Sequence, residues 1–241
     1  MNIYALQTAR GGSKSVPNKN ITNVKGIPLY LHNVLHAKKT QKIKDVYIST
    51  DIEFIKENSS VYNYKIIDRP NDLSGDNASH YDTILHGLYE IEKEINAELD
   101  FLVVLLGNSI GAFSDDLDNA IQMLIDDPEA DSVQSLSEYN MYNPFRAFVS
   151  EGKYITTMLS QDFIKEKSQL TNINDRKAAG DIHYFNGSFW VIKREALMKK
   201  DGLLPFPWLG NKILPYVQGN YMEVDALWQL SYLQSMDWKG F

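Results

Sequence analysis

The run Phe101-Leu102-Val103-Val104-Leu105-Leu106 is the most apolar stretch of the chain and constrains its fold more than any other. A strand that is apolar at every position has no face to give to water. It belongs inside a sheet covered on both sides, as the central strand of a parallel sheet is. Residues 79–97 place Ile84, Leu88, Ile91 and Ile95 on one helical face, and 115–126 form a second amphipathic pattern. Strand-like runs at 2–6, 44–50 and 64–69 alternate with helical stretches, among them 27–39 with Pro28 in its first turn. This alternation predicts an α/β fold, a Rossmann-like, mainly parallel sheet flanked by helices. Further strands are expected at 130–137 and 184–192, and a last helix carries Leu227, Leu230 and Leu233.

A length of 241 residues suits one sizeable domain spanning 1–241. From 139 to 182 the periodicity is lost: short β-like pieces at 145–149 and 153–155 precede a polar helical segment at 160–167, which reads as an inserted arm. The formal charge of −7, from 24 Lys+Arg against 31 Asp+Glu, disfavours broad binding of nucleic acid or anionic membrane. With no cysteine there are no disulfides, thiolate nucleophiles or zinc–thiolate sites. No stretch approaches the ~18 apolar residues of a membrane span, and the expected location is cytoplasmic.

The chemistry is concentrated in Ala9-Arg10-Gly11-Gly12-Ser13-Lys14-Ser15-Val16-Pro17-Asn18-Lys19-Asn20, directly after the first strand. Paired glycines let the backbone turn and bring its N–H groups to an anion, while Arg10, Lys14 and Lys19 supply cations. A P-loop is excluded, since Ser13 rather than glycine precedes the lysine, and a dinucleotide fingerprint fails at Pro17. Two readings stand on the residues: a triphosphate-binding bend, or a solvated basic turn without a ligand.

The pattern Ala-Arg-Gly-Gly-Ser-Lys-x-x-Pro-x-Lys-Asn resembles the opening of the acylneuraminate cytidylyltransferases, the CMP-sialic acid synthetase family. Arg69-Pro70-Asn71-Asp72-Leu73-Ser74-Gly75-Asp76-Asn77-Ala78-Ser79 resembles the same family's Arg-Pro-x-x-Leu-x-x-Asp-x-Ala-Ser. The resemblance implies that Ala9, Gly11, Gly12, Ser13 and Lys14 cradle the CTP phosphates. Arg10 and Lys19 would neutralise developing charge, Asn20 would reach the nucleoside, and Arg69, Ala78 and Ser79 would line the base pocket. On its residues alone the 69–79 segment also reads as a polar loop capping the next helix at Ser79.

Sialic acid-activating members carry Leu-Leu-Gln-Pro-Thr-Ser-Pro where this chain has Leu105-Leu106-Gly107-Asn108-Ser109-Ile110-Gly111. The sugar-addressing glutamine is replaced by Gly107, which leaves Asn108 and Ser109 as its substitutes toward the acceptor. The resemblance also places Arg146 and Arg176 toward an acidic acceptor and makes the arm a dimerising element. Tyr184 and Phe185 are candidates to pack on the acceptor, with a strand-start core as the alternative. Glu223-Val224-Asp225 stands where the family has Asp-x-Asp-Thr, implying Mg²⁺ held by Glu223 and Asp225. The alternative for Asp225 is the N-cap of the last helix.

The remaining acids and imidazoles read as structural. His32 and His36, four apart, are a surface or core helix pair rather than metal ligands, and Asp115, Asp116 and Asp118 suit a helix N-terminus. Pro205-Phe206-Pro207-Trp208 is a rigid loop that marks an interface if its aromatics are exposed. The function expected is transfer of CMP from CTP to a sialic, legionaminic or pseudaminic type of acid, with pyrophosphate released, by a homodimer. A different acceptor, such as a phosphonate or sugar phosphate, and a non-catalytic nucleotide-binding homologue are the alternatives.

Overall fold

In order along the chain, the computed structural model contains β1 (Ile3–Ala9), β2 (Asn23–Val24), β3 (Ile27–Pro28), α1 (Leu29–Ala37), β4 (Val46–Thr50), α2 (Glu53–Glu57), α3 (Ser59–Tyr62) and β5 (Lys65–Asp68). Then come α4 (His80–Ile95), β6 (Phe101–Leu106), α5 (Ser114–Asp126), β7 (Ser132–Glu138), β8 (Phe148–Glu151), β9 (Tyr154–Thr157), α6 (Gln161–Leu170), β10 (His183–Lys193), α7 (Arg194–Lys199), β11 (Ile213–Gln218) and α8 (Leu227–Ser235). The structure describes residues 1–138, 143–170, 172, 175, 180–219, 221 and 223–237.

Seven strands form one sheet in the order β11-β7-β10-β6-β1-β4-β5. β6 is its middle strand and is buried along its whole length, as its unbroken apolar run requires. β6, β1, β4 and β5 pair in parallel, and β10 joins β6 antiparallel. The sheet is therefore mixed and mostly parallel. Because the four parallel strands share a direction, the bends after β1, β5 and β6 gather at one edge, where ligands of open α/β sheets bind.

The chain divides into two units: 1–135, 186–216 and 221–241 form the first, and 136–185 with 217–220 form the second. Ile84, Leu88 and Ile91 of α4 are fully buried in the first unit. α1 is buried almost all round, so its two histidines are core residues: His32 bonds the Val24 carbonyl at 3.0 Å and His36 sits edge-on to Phe113. The second unit holds the β8–β9 hairpin, whose Phe148, Val149, Tyr154 and Ile155 are exposed, and α6. No helix among the described residues is long and apolar enough to cross a membrane.

Several local expectations change. Ile52 occupies the N-cap of α2, and Asp51 before it accepts the Gly11 N–H. Asp115 and Asp116 do lie in the first turn of α5, but Asp118 instead accepts the N–H groups of Gln41 and Lys42. Trp208 is 4% exposed and packs with Trp190, Phe206 and His80, so its loop closes the core instead of presenting that ring outward.

Candidate functional site

The bend after β1 is built by its neighbours. Gly11 N–H donates to Asp51 Oδ1 at 2.7 Å, and the Asn20 amide donates to the Arg10 carbonyl at 2.8 Å. Gly12 has φ +68°, a left-handed conformation open to glycine, and Ser13 is half-buried beside it. Asn20 is itself buried, and its Oδ1 has no partner among the described residues, so the side chain both pins the bend and offers an acceptor.

The 69–79 segment lies against this bend. Arg10 Nη1 donates to Ser74 O at 3.2 Å and to Asp76 Oδ1 at 3.1 Å, and Lys14 meets Asp76 Oδ2 at 2.5 Å. Asp76, whose role the sequence did not announce, thus bridges two of the three cations. Their positive charge holds its carboxyl below the usual range, Lys14 contributing most. Arg69 holds its own loop, through Nε to Leu73 O at 2.8 Å and Nη2 to Thr83 Oγ1 at 3.0 Å. Ala78 N–H closes a turn onto Gly75 O. Ser79 caps α4 by accepting the Asp82 N–H at 3.3 Å, while remaining exposed.

Lys19 reaches in the other direction. Its Nζ lies 2.7 Å from Asp225 Oδ1. Both partners are steered there by packing, since Val16 of the bend and Val224 between the two acids are buried in one apolar cluster. Val224 is buried, whereas Glu223 before it is half-buried and Asp225 after it is exposed. Only Glu223 has strand character, through an antiparallel bridge to Ser109. Asp225 is not the N-cap of α8: that position is Ala226, and Gln229 Oε1 accepts the N–H groups of both residues.

Burial pushes the Glu223 carboxyl up, repulsion from Asp225 adds to the rise, and Asn108 and Lys19 oppose it. Its side chain lies over Gly187, at φ +74°, where an added Cβ would stand 2.0 Å from Glu223 Cγ. Gly187 holds no side chain for want of space, and β10 thereby supplies the floor beneath the acid.

The loop after β6 is closely packed against β1 and the acid pair. Gly107 N–H bonds Thr8 O, and a Cβ there would meet Ala9 Cβ at 2.7 Å, so no side chain of any length fits. Asn108 carries Val224, accepting its N–H at 2.7 Å, and bonds the Glu223 carboxyl. Ser109 is fully buried, with its hydroxyl on Gly187 O at 2.5 Å. The same hydroxyl also lies 3.3 Å from Leu106 O, so it bonds within the scaffold.

Arg146, at the end of a 3₁₀ turn and exposed, belongs to the second unit with Tyr184, exposed, and Phe185, half-buried. Arg176 lies outside the described residues. Asp51, Asp76 and Gly187 were missed by sequence reasoning. Asp76 sat inside a quoted motif, which was its available signal, whereas the other two act through partners 40 and 36 residues away, the second count being the step from Gly187 to Glu223.

Comparison with known proteins adds the family. A protein family described as "Cytidylyltransferase" matches residues 5–207. A post-translational flagellin modification protein B of Campylobacter coli is 24% identical over 202 residues, covering 83% of this chain and 81% of that protein. An N-acylneuraminate cytidylyltransferase of Streptococcus agalactiae is 25% identical over 202 residues, 83% of this chain but 45% of the streptococcal protein, so the chain spans less than half of that relative. In fold, it is similar to CMP:2-keto-3-deoxy-manno-octonic acid synthetase solved with CTP, at TM-score 0.66 and 15% identity over 98% of both chains.

Proposed function

This chain belongs to the cytidylyltransferase family, and from that premise we propose that it transfers CMP from CTP to an acidic sugar of the sialic, legionaminic or pseudaminic type, with release of pyrophosphate. The observation that carries the reading is the meeting of the cationic bend and the acid pair at Lys19 and Asp225.

An acceptor hydroxyl attacks the α-phosphorus in line and releases its proton to water, the bond to the β-phosphate oxygen breaks, and pyrophosphate departs with that oxygen. Negative charge accumulates on the leaving phosphates. In this reading Arg10, Lys14 and Lys19 receive it, and fixed charges of this kind act without reorganising during the reaction. Backbone N–H groups of Gly12 and Ser13 supply further donors to the phosphate tail. Arg69, Ala78 and Ser79 line the cytosine side in this reading, and Asn20 Oδ1 is the buried acceptor for the nucleoside.

Glu223 and Asp225 fit Mg²⁺: the ion takes hard oxygen donors, commonly one or two carboxylates together with substrate phosphates, and a cation would relieve the repulsion that raises the Glu223 carboxyl. When bound there it would supply positive charge at the phosphates. The acceptor's carboxylate is assigned to Arg146 and Arg176, and its ring to Asn108, Tyr184 and Phe185, on the sequence pattern. Self-association through the exposed β8–β9 hairpin completes the proposal, and sedimentation analysis of Tyr154→Glu against wild type checks it.

A second reading is favoured by one observation. Gly107 packs so closely on Ala9 and Thr8 that a glutamine side chain has no room, which points to an acceptor other than a nine-carbon sugar acid, such as a phosphonate or sugar phosphate. Pyrophosphate release screened over four nucleoside triphosphates and a panel of acids separates the two. Release with CTP and a nine-carbon keto acid supports the first, release with CTP and only other acceptors supports the second, and saturable CTP binding without any release contradicts both.

A further inference from the structure

We propose that Asn33 is a positioning residue for the acid pair: from inside α1 it fixes the loop on which Glu223 is registered. The proposal rests on the reading of Glu223 and Asp225 as the acidic half of the site.

Asn33 is 1% exposed in a helix whose neighbours Leu29, Tyr30, Leu31 and Val34 are buried. An amide in such surroundings is destabilising unless its bonds are made. All of them go to a single loop. Nδ2 lies 3.2 Å from Leu106 O, 3.1 Å from Ser109 O and 3.3 Å from Ser109 Oγ. Oδ1 accepts the N–H of Gly111 at 3.3 Å and of Ala112 at 3.2 Å. A primary amide has two donors and two acceptor sites, and here 106–112 uses them all. Where the resembling family has proline, Gly111 carries an N–H that must be received when buried, and Asn33 receives it.

The loop in turn holds the acid. Ser109 bridges Glu223, Asn108 O accepts Val224 N–H at 2.7 Å, and Ser109 Oγ ties Gly187, the floor beneath Glu223, through its carbonyl. Glu223 lies outside every named strand, so its backbone takes its register from this loop.

The test compares Asn33→Leu, close in volume but without polar atoms, with Val34→Ala, a buried change on the same helix. Amide hydrogen exchange at Val224 and calorimetric binding of Mn²⁺ to the nucleotide-free protein are measured for both, with thermal melts to match their destabilisation. Asn33→Leu is expected to weaken Mn²⁺ binding about 10-fold and to lose protection at Val224, while Val34→Ala retains both. Equal protection and equal Mn²⁺ affinity in the two variants would overturn the proposal. If wild type binds no Mn²⁺, the metal reading of the acids fails, and the exchange at Val224 still decides whether Asn33 positions them.

Discussion

The ammonium of Lys19 lies 2.7 Å from Oδ1 of Asp225, 206 residues further along the chain. The amine is 15% exposed and the carboxylate 63%, so water screens the pair and its contribution to folding is about 1 kcal/mol or less. Its importance is where it puts a positive charge. Lys19→Met is expected to leave the melting temperature nearly unchanged while lowering turnover about 100-fold or more. A thermal melt run beside a pyrophosphate-release assay reads both quantities.

Asp76 pairs with both Arg10 and Lys14. A triphosphate competes for the same cations, so Asp76→Asn should bind CTP more tightly than wild type and with a steeper salt dependence. The carboxyl is held below the usual range by Lys14 and Arg10. The bridge is therefore intact at neutral pH and opens only as the pH falls below ordinary aspartate values. Calorimetric CTP titrations of both proteins at pH 8 and pH 5 should show the same ordering. Weaker binding by the variant would mean that Asp76 orients the cations for the ligand instead of competing with it.

Gly187 carries a positive φ and has Glu223 Cγ where a Cβ would go. Gly187→Ala should cost about 1–3 kcal/mol of stability and displace the carboxylate. Loss of Mn²⁺ binding in a variant that is still folded by circular dichroism is the expected result. Wild-type affinity would show that Glu223 does not need this seat.

Burial, with Arg69 nearby, lowers His80 to about 4, and burial with Lys39 and His32 lowers His36 to about 4, from 6.5. Between those values the unfolded chain binds protons that the folded chain refuses. Stability is thus complete above pH 6.5 and declines as the pH falls toward 4, by up to about 1.4 kcal/mol per pH unit for each histidine. Urea midpoints measured from pH 7 to pH 4.5 should fall steadily. His36→Gln should flatten the slope, and an unchanged slope would place the proton uptake elsewhere.

The helices and strands of the parallel half were legible because their burial repeats: β6 is apolar throughout, and α4 shows its core face as Ile84, Leu88 and Ile91. β11 escaped notice because Pro215 interrupts it, which an edge strand tolerates and a central one does not. α7, six residues long, is too short to display a period. At the site, the cations declared themselves by crowding into one bend. Their pairing with Asp76 and Asp225 did not, since those carboxylates meet the cations only when the chain folds. Asn33 was hidden for the opposite reason: in an apolar helix a lone amide has no local signal, and its purpose is visible only in the loop it holds.

The central claim, that the bend after β1 grips the triphosphate of CTP, is tested most directly by calorimetric titration of CTP into wild-type protein and Arg10→Ala with Mg²⁺ present. Saturable binding by wild type, weakened about 100-fold in the variant, is the predicted result. Equal CTP affinity in the two proteins would contradict it.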